Sequence, residues 1–174
     1  MTISFRPLFE RVVAEQVEVV LVEGFAAVSL GVPYITQDVD FCYNPTPANL
    51  TRLVKALAPL HPRLRVSGMT DEEAAALAFH FDEHAVRQSP MMTLRTDAGD
   101  LDLLSAVSGI GSYDQVRAAS VSIELFGATI SVLDLPGFVA AKRAAGRPKD
   151  LLALPQIEAA LRLREQQRAK DEQE

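Results

Sequence analysis

A pair of aspartates with the spacing of a β-strand is the feature of this sequence most suggestive of chemistry. Asp38 and Asp40 alternate with Val39 and Phe41, which is the period of a strand with one apolar face. Side chains two residues apart on a strand point to the same side, so these carboxylates would lie about 6–7 Å apart. Like charges at that distance repel unless a cation lies between them, and Mg²⁺ prefers oxygen ligands. The pair therefore predicts a divalent-metal site.

A third carboxylate would complete such a site. Asp102 lies between Leu101 and Leu103 in a second apolar segment. Asp100 would share its face of the strand, but Asp100 follows Gly99 at an expected turn, so Asp102 is the preferred ligand. Three carboxylates around a metal are typical of metal-assisted phosphoryl or nucleotidyl transfer. The alternative interpretation is that these side chains face solvent on half-exposed strands.

The aspartates need strands to position them, and the apolar pattern predicts a mixed α/β (α+β) fold. Strands are predicted at residues 17–22, 37–43, 92–95 and 101–104, with a hairpin at 121–126 and 129–133. Helices are predicted at residues 7–14 and 25–30, from 46 with a capping Thr46 hydroxyl, from 71, and over 135–168 with breaks near 146–148 and Pro155. We expect residues 1–134 to form the α/β core. Residues 135–174 are expected to form a helical C-terminal segment packed on that core, with frayed last residues.

Length, charge and cysteine content restrict the class of protein. A chain of 174 residues fits one domain, and a formal net charge of −6 argues against general coating of nucleic acid. Cys42 is the only cysteine, so no internal disulfide forms and a reducing cytosol is expected. No apolar run reaches the roughly 18 residues of a membrane span, and the N-terminus lacks the features of a signal peptide. We therefore predict a cytoplasmic protein that does not contact membranes.

The histidines and the common catalytic motifs give no second hypothesis. His80 and His84 are four residues apart, which would suit a metal pair on a helix. No third ligand is adjacent in the sequence, so we interpret them as surface or interface residues. There is no Ser-His-Asp pattern, no P-loop and no dinucleotide-binding fingerprint.

Taken together, these segments resemble a known superfamily. Gly24-Phe25, Asp38-Val39-Asp40 and Leu101-Asp102-Leu103 are similar to the motifs of nucleotidyltransferases with the DNA polymerase β-like catalytic core. More narrowly, the chain resembles the small bacterial nucleotidyltransferases that include the AbiEii-type toxins of toxin–antitoxin systems. In that family a glycine turn follows a buried strand, an Asp-x-Asp pair lies on the next strand, and a third acidic residue lies on a later one. The resemblance implies a nucleotidyltransferase-type mixed sheet.

The resemblance also implies a reaction and a set of site residues. It implies Mg²⁺ (or Mn²⁺) bound by Asp38, Asp40 and Asp102, with Asp102 as third ligand or as general base for the attacking hydroxyl. It assigns nucleotide binding to Gly24, Phe25, Thr36, Lys142, Arg147 and Lys149. The expected partners are a nucleoside triphosphate, an acceptor that is RNA, protein or a small molecule, and an antitoxin protein.

Parts of the phosphate-binding pattern have their own physical reasons and their own alternatives. Gly24 lets the backbone turn sharply and approach a phosphate, although a glycine that ends a strand is also an ordinary turn residue. Lys142, Arg147 and Lys149 would neutralise a triphosphate. The alternative is a helix–helix junction in which Asp150 pairs with a basic neighbour.

Two departures from the family pattern support a second hypothesis. Phe25 replaces the small residue that usually follows the first glycine, and Tyr34 lies in the stretch where an arginine often precedes Thr36. Phe25 offers no hydroxyl to a phosphate; its ring would either crowd the nucleotide or point into the core. The second hypothesis is a degenerate nucleotidyltransferase fold that binds nucleotide or regulates a partner without turnover.

Overall fold

A seven-stranded mixed β-sheet lies at the centre of the structure. The computed structural model describes residues 4–171, apart from the side chains of residues 149, 153, 164–165 and 167–171. The strands are β1 Val19–Val22, β2 Asp38–Tyr43, β3 Arg63–Leu64, β4 Met91–Thr96, β5 Gly99–Leu104, β6 Ala106–Val107, β7 Gly111–Ser112, β8 Ser120–Leu125 and β9 Ala128–Leu133. The sheet order is β3-β4-β5-β2-β1-β9-β8, and β6 pairs with β7 in a separate ribbon.

The middle of the sheet is buried on both faces. All four residues of β1 are buried, and so is every residue of β2 after Asp38. Strands buried on both sides read as continuous apolar runs in a sequence, because helices or loops cover each face. β2 runs antiparallel to β1 and parallel to β5, and β1 runs parallel to β9. The aspartates of β2 therefore lie near the centre of the sheet, next to β5.

Helices and one short 3₁₀ turn, at Ala58–Leu60, connect and cover the strands. The helices are α1 Arg6–Ala14, α2 Glu23–Ser29, α3 Pro47–Leu57, α4 Asp71–Ala75, α5 Glu83–Gln88, α6 Tyr113–Ala118, α7 Leu135–Ala145 and α8 Pro148–Asp171. α3 buries Leu50, Leu53 and Leu57, as its apolar period predicts. Of the helices within residues 4–171, none is both long and apolar enough to cross a membrane.

The mixed α/β fold with a helical C-terminal segment is confirmed, but two details of the prediction are wrong. Pro155 does not interrupt the last helix: α8 runs through it from Pro148 to Asp171. A proline removes one helical hydrogen bond, and here Leu154 and Ile157 on either side of it are buried and hold the helix in place. Thr46 precedes α3, but its hydroxyl makes no capping hydrogen bond. Instead, its backbone N–H donates to Asn44 Oδ1 at 3.2 Å.

Candidate active site

Asp40 and Asp102 are direct partners in the parallel ladder between β2 and β5. The same register places Asp38 opposite Asp100, one pleat further along the two strands. Asp40 is 7% exposed and Asp102 is 6% exposed, because the strands that carry them are buried in the sheet. Two parallel strands in register present equivalent side chains on the same face. The fold therefore brings the three predicted carboxylates together, although Asp102 is distant from the others in sequence.

These carboxylates line a cleft of about 1110 Å³. The cleft is also lined by predicted nucleotide-binding residues, namely Gly24, Thr36, Lys142 and Arg147. The structure thus gathers most of the predicted site around one cavity. Lys149 lies in the first turn of α8, and its side chain is outside the described part of the structure.

The surroundings of the carboxylate cluster disfavour the ionised form of its two buried members, Asp40 and Asp102. Burial, followed by the nearby charges of Asp38, Asp102 and Glu23, raises the pKa of Asp40 to about 8, while Lys142 opposes the shift. Burial also raises the pKa of Asp102, against the opposing effect of Arg65. Such shifts cluster at functional sites, because evolution places like charges together there for a cation or a proton transfer.

Arg65 contacts three aspartates of the cluster, and the sequence analysis did not identify it. Its Nη2 donates to Asp102 Oδ1 at 2.6 Å and lies 3.8 Å from Asp38 Oδ2, while its Nε lies 3.7 Å from Asp100 Oδ2. The backbone N–H of Arg65, just past β3, donates to the Thr93 carbonyl oxygen of β4 at 2.9 Å, and this fixes the position of the residue. An arginine on a short edge segment has no distinctive sequence pattern, so only the strand order could have revealed its role.

Asp100 is held by a different cation. Nε of Arg95 donates to Asp100 Oδ1 at 2.9 Å and Nη2 donates to Asp100 Oδ2 at 3.3 Å. This bidentate pair occupies both carboxylate oxygens of Asp100. Asp102, in contrast, lines the cleft.

Glu23 is a second site residue that the sequence analysis did not single out. It begins α2 with a φ of 55°, in the left-handed region that non-glycine residues rarely adopt. Its carboxylate accepts a hydrogen bond from Lys142 Nζ and lies 3.8 Å from Arg147 Nη2. Unusual backbone conformations of this kind persist where the surrounding contacts hold them, often at functional sites. A positive φ at a glutamate cannot be read from the sequence.

Lys142 is buried in an ion-pair network at the wall of the cleft. Its Nζ donates to Glu23 and lies 2.9 Å from Asp150 Oδ1, and it lies 5.2 Å from the centre of the Phe138 ring. Burial alone would lower the pKa of Lys142, but Glu23 and Asp150 raise it. Asp150 also accepts a hydrogen bond from Arg147. The helix–helix junction proposed as the alternative for this segment is therefore present, and it lies beside the cleft.

Phe25 points into the core and not into the cleft. Its ring packs edge-to-face on Phe5 with centroids 5.4 Å apart, and its centroid lies 5.6 Å from that of Phe9. Of the two orientations left open by the sequence, the ring adopts the inward one. The side chain predicted to bind nucleotide at this position is therefore engaged in packing against α1.

Gly24 and Thr36 lie in close contact at the edge of the cleft. A Cβ added at Gly24 would lie 2.9 Å from Thr36 Cβ and 2.9 Å from Tyr34 Cε1, closer than real carbon contacts allow. The absence of a side chain lets the segment around Thr36 approach α2. From there the Thr36 hydroxyl donates to Asp38 Oδ1 at 2.9 Å. Gly24 thus has a packing role that helps to orient the first aspartate.

The donor set suits a hard divalent cation, although the side chains are not arranged around one. Asp38, Asp40 and Asp102 supply carboxylate oxygens, the ligands that Mg²⁺ prefers. Among the side chains that the structure describes, however, no three of His, Cys, Asp or Glu converge closely enough to hold an ion as they stand. The guanidinium of Arg65 lies among the oxygens, so metal binding would require it to move and the carboxylates to rotate.

The histidines do not form a metal pair. His84 lies on α5, whereas His80 precedes that helix, and both side chains are exposed, as the surface interpretation predicts. The α5 helix begins only after its cap Asp82, whose side chain accepts a hydrogen bond from the Ala85 N–H at 2.8 Å. His61 Nδ1 lies 2.6 Å from Asp97 Oδ2 in an exposed pair.

The sequence matches no model of a known protein family, and it matches no curated protein sequence.

Proposed function

We propose that this protein is a Mg²⁺-dependent nucleotidyltransferase that moves a nucleoside monophosphate from a nucleoside triphosphate to an acceptor hydroxyl. One observation carries the proposal: Asp40 and Asp102 are in register on adjacent parallel strands, with Asp38 one pleat away, and all three line one cleft. Burial, together with the repulsion of the neighbouring carboxylates, raises the pKa of Asp40 to about 8, and a bound cation would relieve that repulsion.

The three aspartates have separate roles in this proposal. Asp38 and Asp40 would hold Mg²⁺ (or Mn²⁺), with the Thr36 hydroxyl orienting Asp38 from outside the metal. When bound, the metal would supply Lewis-acid stabilisation of the charge on the reacting phosphate. Asp102 would serve as third ligand or accept the proton of the acceptor hydroxyl.

The reaction is an in-line substitution at the α-phosphorus of the triphosphate. The acceptor oxygen forms a bond to phosphorus, the bond from phosphorus to the bridging oxygen breaks, and pyrophosphate leaves. Arg147, exposed at the cleft, would contact the triphosphate, and Gly24 would let the phosphates approach the backbone. Lys142 would act on the phosphates through its field, because its ammonium is already bound by two carboxylates.

The acceptor is RNA, a protein side chain or a small molecule, and we propose that the reaction takes place in the cytoplasm. The single cysteine, Cys42, is buried and free, which fits a reducing compartment.

Transfer of label tests the proposal directly. Each of four α-³²P nucleoside triphosphates is incubated with Mg²⁺, total RNA, a protein extract and a small-molecule extract, with wild type and Asp40→Asn side by side. The proposal expects label in one acceptor fraction with the wild type only. Equal labelling by both proteins, or none with any nucleotide in any fraction, would contradict it.

A second candidate is a degenerate fold that binds nucleotide without turnover. Two observations favour it: Phe25 packs in the core, so no hydroxyl is offered at that position, and the Lys142 ammonium is enclosed by carboxylates. Metal-dependent nucleotide binding by calorimetry, in the absence of any label transfer, would support this candidate over the enzyme.

A further inference from the structure

We propose that Arg65 is an internal counter-ion of the carboxylate cluster, and that a divalent metal binds only by displacing its guanidinium. Arg65 would then be a positioning residue that sets the metal affinity of the site. The inference rests on the proposed function, since it takes Asp38 and Asp102 as metal ligands.

The geometry places Arg65 in competition with a metal for the same oxygens. Nη2 of Arg65 bonds to Asp102 Oδ1 at 2.6 Å and lies 3.8 Å from Asp38 Oδ2. A metal that uses these two aspartates needs oxygens that now face a fixed positive charge. A guanidinium cannot lose its charge at any pH relevant to a protein, so it must move away rather than deprotonate. Either Arg65 or a metal can therefore neutralise the charge of Asp38 and Asp102, but not both at once.

Among the described residues, one side-chain hydrogen bond, from Nη2 to Asp102 Oδ1, ties the Arg65 guanidinium to the cluster, and its other two contacts with aspartates are longer. Its Nε is buried without a hydrogen-bond partner among the described residues, and its nearest carboxylate oxygen on Asp100 is 3.7 Å away. About one-third of the side chain is exposed to the cleft. β3, just before it, is a short strand at the edge of the sheet. The side chain can leave the aspartates by rotation, without disrupting the core.

The displaced guanidinium would remain at the cleft. Arg65 lines this cavity together with Val66 and Ser67, so rotation leaves the charge beside the space available to a polyanionic substrate. Guanidinium groups bind phosphate oxygens in bidentate fashion. The same residue would thus stabilise the metal-free cluster and then face the nucleotide.

Mn²⁺ binding tests the proposal without any measurement of turnover. Free Mn²⁺ is followed by electron paramagnetic resonance during titration of wild type, Arg65→Met and Arg65→Lys. Arg63→Met is the matched control, because it removes the same charge from β3 itself, where Arg63 faces Asp97 and not the cluster. We expect Arg65→Met to bind Mn²⁺ at least fivefold more tightly than wild type, Arg65→Lys to lie between them, and Arg63→Met to change the affinity less than twofold.

The opposite results overturn the proposal. Equal or weaker Mn²⁺ binding by Arg65→Met would show that Arg65 does not compete with the metal. An equal gain in Mn²⁺ affinity in Arg63→Met would show that the gain comes from the change in net charge and not from the position of Arg65. Asp40→Asn separates this failure from failure of the proposed function. If Mn²⁺ binds wild type and Asp40→Asn alike, the metal site itself is wrong and both proposals fall.

A measurement on unmodified protein covers the case in which Arg65→Met does not fold. Exchange of the Arg65 Nε–H and Nη–H protons with water is followed by nuclear magnetic resonance as Mg²⁺ is added. We expect faster exchange at Arg65 on saturation and no change at Arg95, whose Nε donates to Asp100. Unchanged exchange at Arg65 would overturn displacement.

Discussion

Asp40 of β2 and Asp102 of β5 face each other across a parallel strand pair, and both are almost completely buried. Parallel register requires that residues two further back, Asp38 and Asp100, also face each other. Of these four carboxylates, Asp100 is the one held at both oxygens by an arginine of its own hairpin, Arg95. Asp100 is thus held within the sheet, whereas Asp38, Asp40 and Asp102 line the cleft.

The first prediction concerns the difference between Asp102, which lines the cleft, and Asp100, which is bound by Arg95. We expect Asp102→Asn to reduce nucleotidyl transfer by at least about 100-fold, a loss typical of a metal ligand or general base. Asp100→Asn, the matched variant one pleat away, should retain activity within about tenfold. Initial rates of label transfer at saturating Mg²⁺ measure both. A larger loss in Asp100→Asn than in Asp102→Asn would reverse the assignment of the third carboxylate.

The local part of this site was predictable from sequence, and the long-range part was not. The alternation of Asp38 and Asp40 with apolar residues is a local signal of one strand face, and it was interpreted correctly. The contact of Arg65 with Asp102 depends on the order β3-β4-β5-β2, which no local period encodes. Glu23 became recognisable only through its left-handed φ and its bond to Lys142.

The same distinction explains the outcome at Phe25 and Pro155. Residue 25 could be placed after a glycine turn, but the direction of its ring depends on Phe9 of α1 and on Phe5 just before that helix. Local propensity marked Pro155 as a break, but burial of Leu154 and Ile157 outweighs the loss of one hydrogen bond. The direction of the Phe25 ring and the continuity of α8 at Pro155 therefore both depend on tertiary packing, which the local sequence does not encode.

The second prediction concerns the pH dependence of stability. The pKa of Asp40 is raised from 3.8 to about 8, so between these values folded protein holds a proton that the unfolded chain has released. Stability therefore falls as pH rises through this window, by at most about 1.4 kcal/mol per pH unit from this group. Denaturant unfolding in EDTA at pH 5 to 8 should show a steeper decline for wild type than for Asp40→Asn. If the stability of the two proteins changes with pH in parallel, the raised pKa of Asp40 is contradicted.

The third prediction concerns Phe25. Phe25→Ser restores the small hydroxyl residue expected from the family pattern but removes the contacts with Phe5 and Phe9. We expect a loss of about 2–4 kcal/mol in the free energy of unfolding and no gain in nucleotide affinity. Phe25→Leu, which keeps apolar volume, should cost less than half as much. Tighter nucleotide binding by Phe25→Ser at unchanged stability would show that position 25 faces the nucleotide.

The fourth prediction concerns Lys142. Its removal leaves Asp150, which is fully buried, with Arg147 as its remaining cationic partner. We therefore expect Lys142→Met to lower the free energy of unfolding by about 3–5 kcal/mol. In the double variant Lys142→Met with Asp150→Leu, most of this loss should be recovered, because no buried charge is left unpaired. If Lys142→Met keeps wild-type stability and loses nucleotide affinity, its ammonium serves the triphosphate and not the network.

The last prediction compares two arginines that flank the junction of α7 and α8. Arg147 is exposed at the cleft and pairs with Asp150, whereas Arg143, near the end of α7, pairs with Glu158 at 2.6 Å on the surface. Exposed pairs contribute about 0–1 kcal/mol, so Arg143→Ala should lower stability by no more than that. Arg147→Ala should cost more, because it removes a partner of Asp150, which is fully buried and is then paired with Lys142 alone among the described residues.

Nucleotide affinity should distinguish these two arginines. Arg147→Ala would remove the charge-assisted phosphate contact that we propose, and we expect the Kd of a non-hydrolysable nucleoside triphosphate to rise about tenfold, equivalent to about 1.4 kcal/mol. Arg143→Ala should leave that Kd unchanged, because the Arg143 side chain does not line the cleft. Isothermal titration with Mg²⁺ measures both. Equal effects of the two substitutions would mean that only net charge matters, and no effect of either would place the triphosphate away from α8.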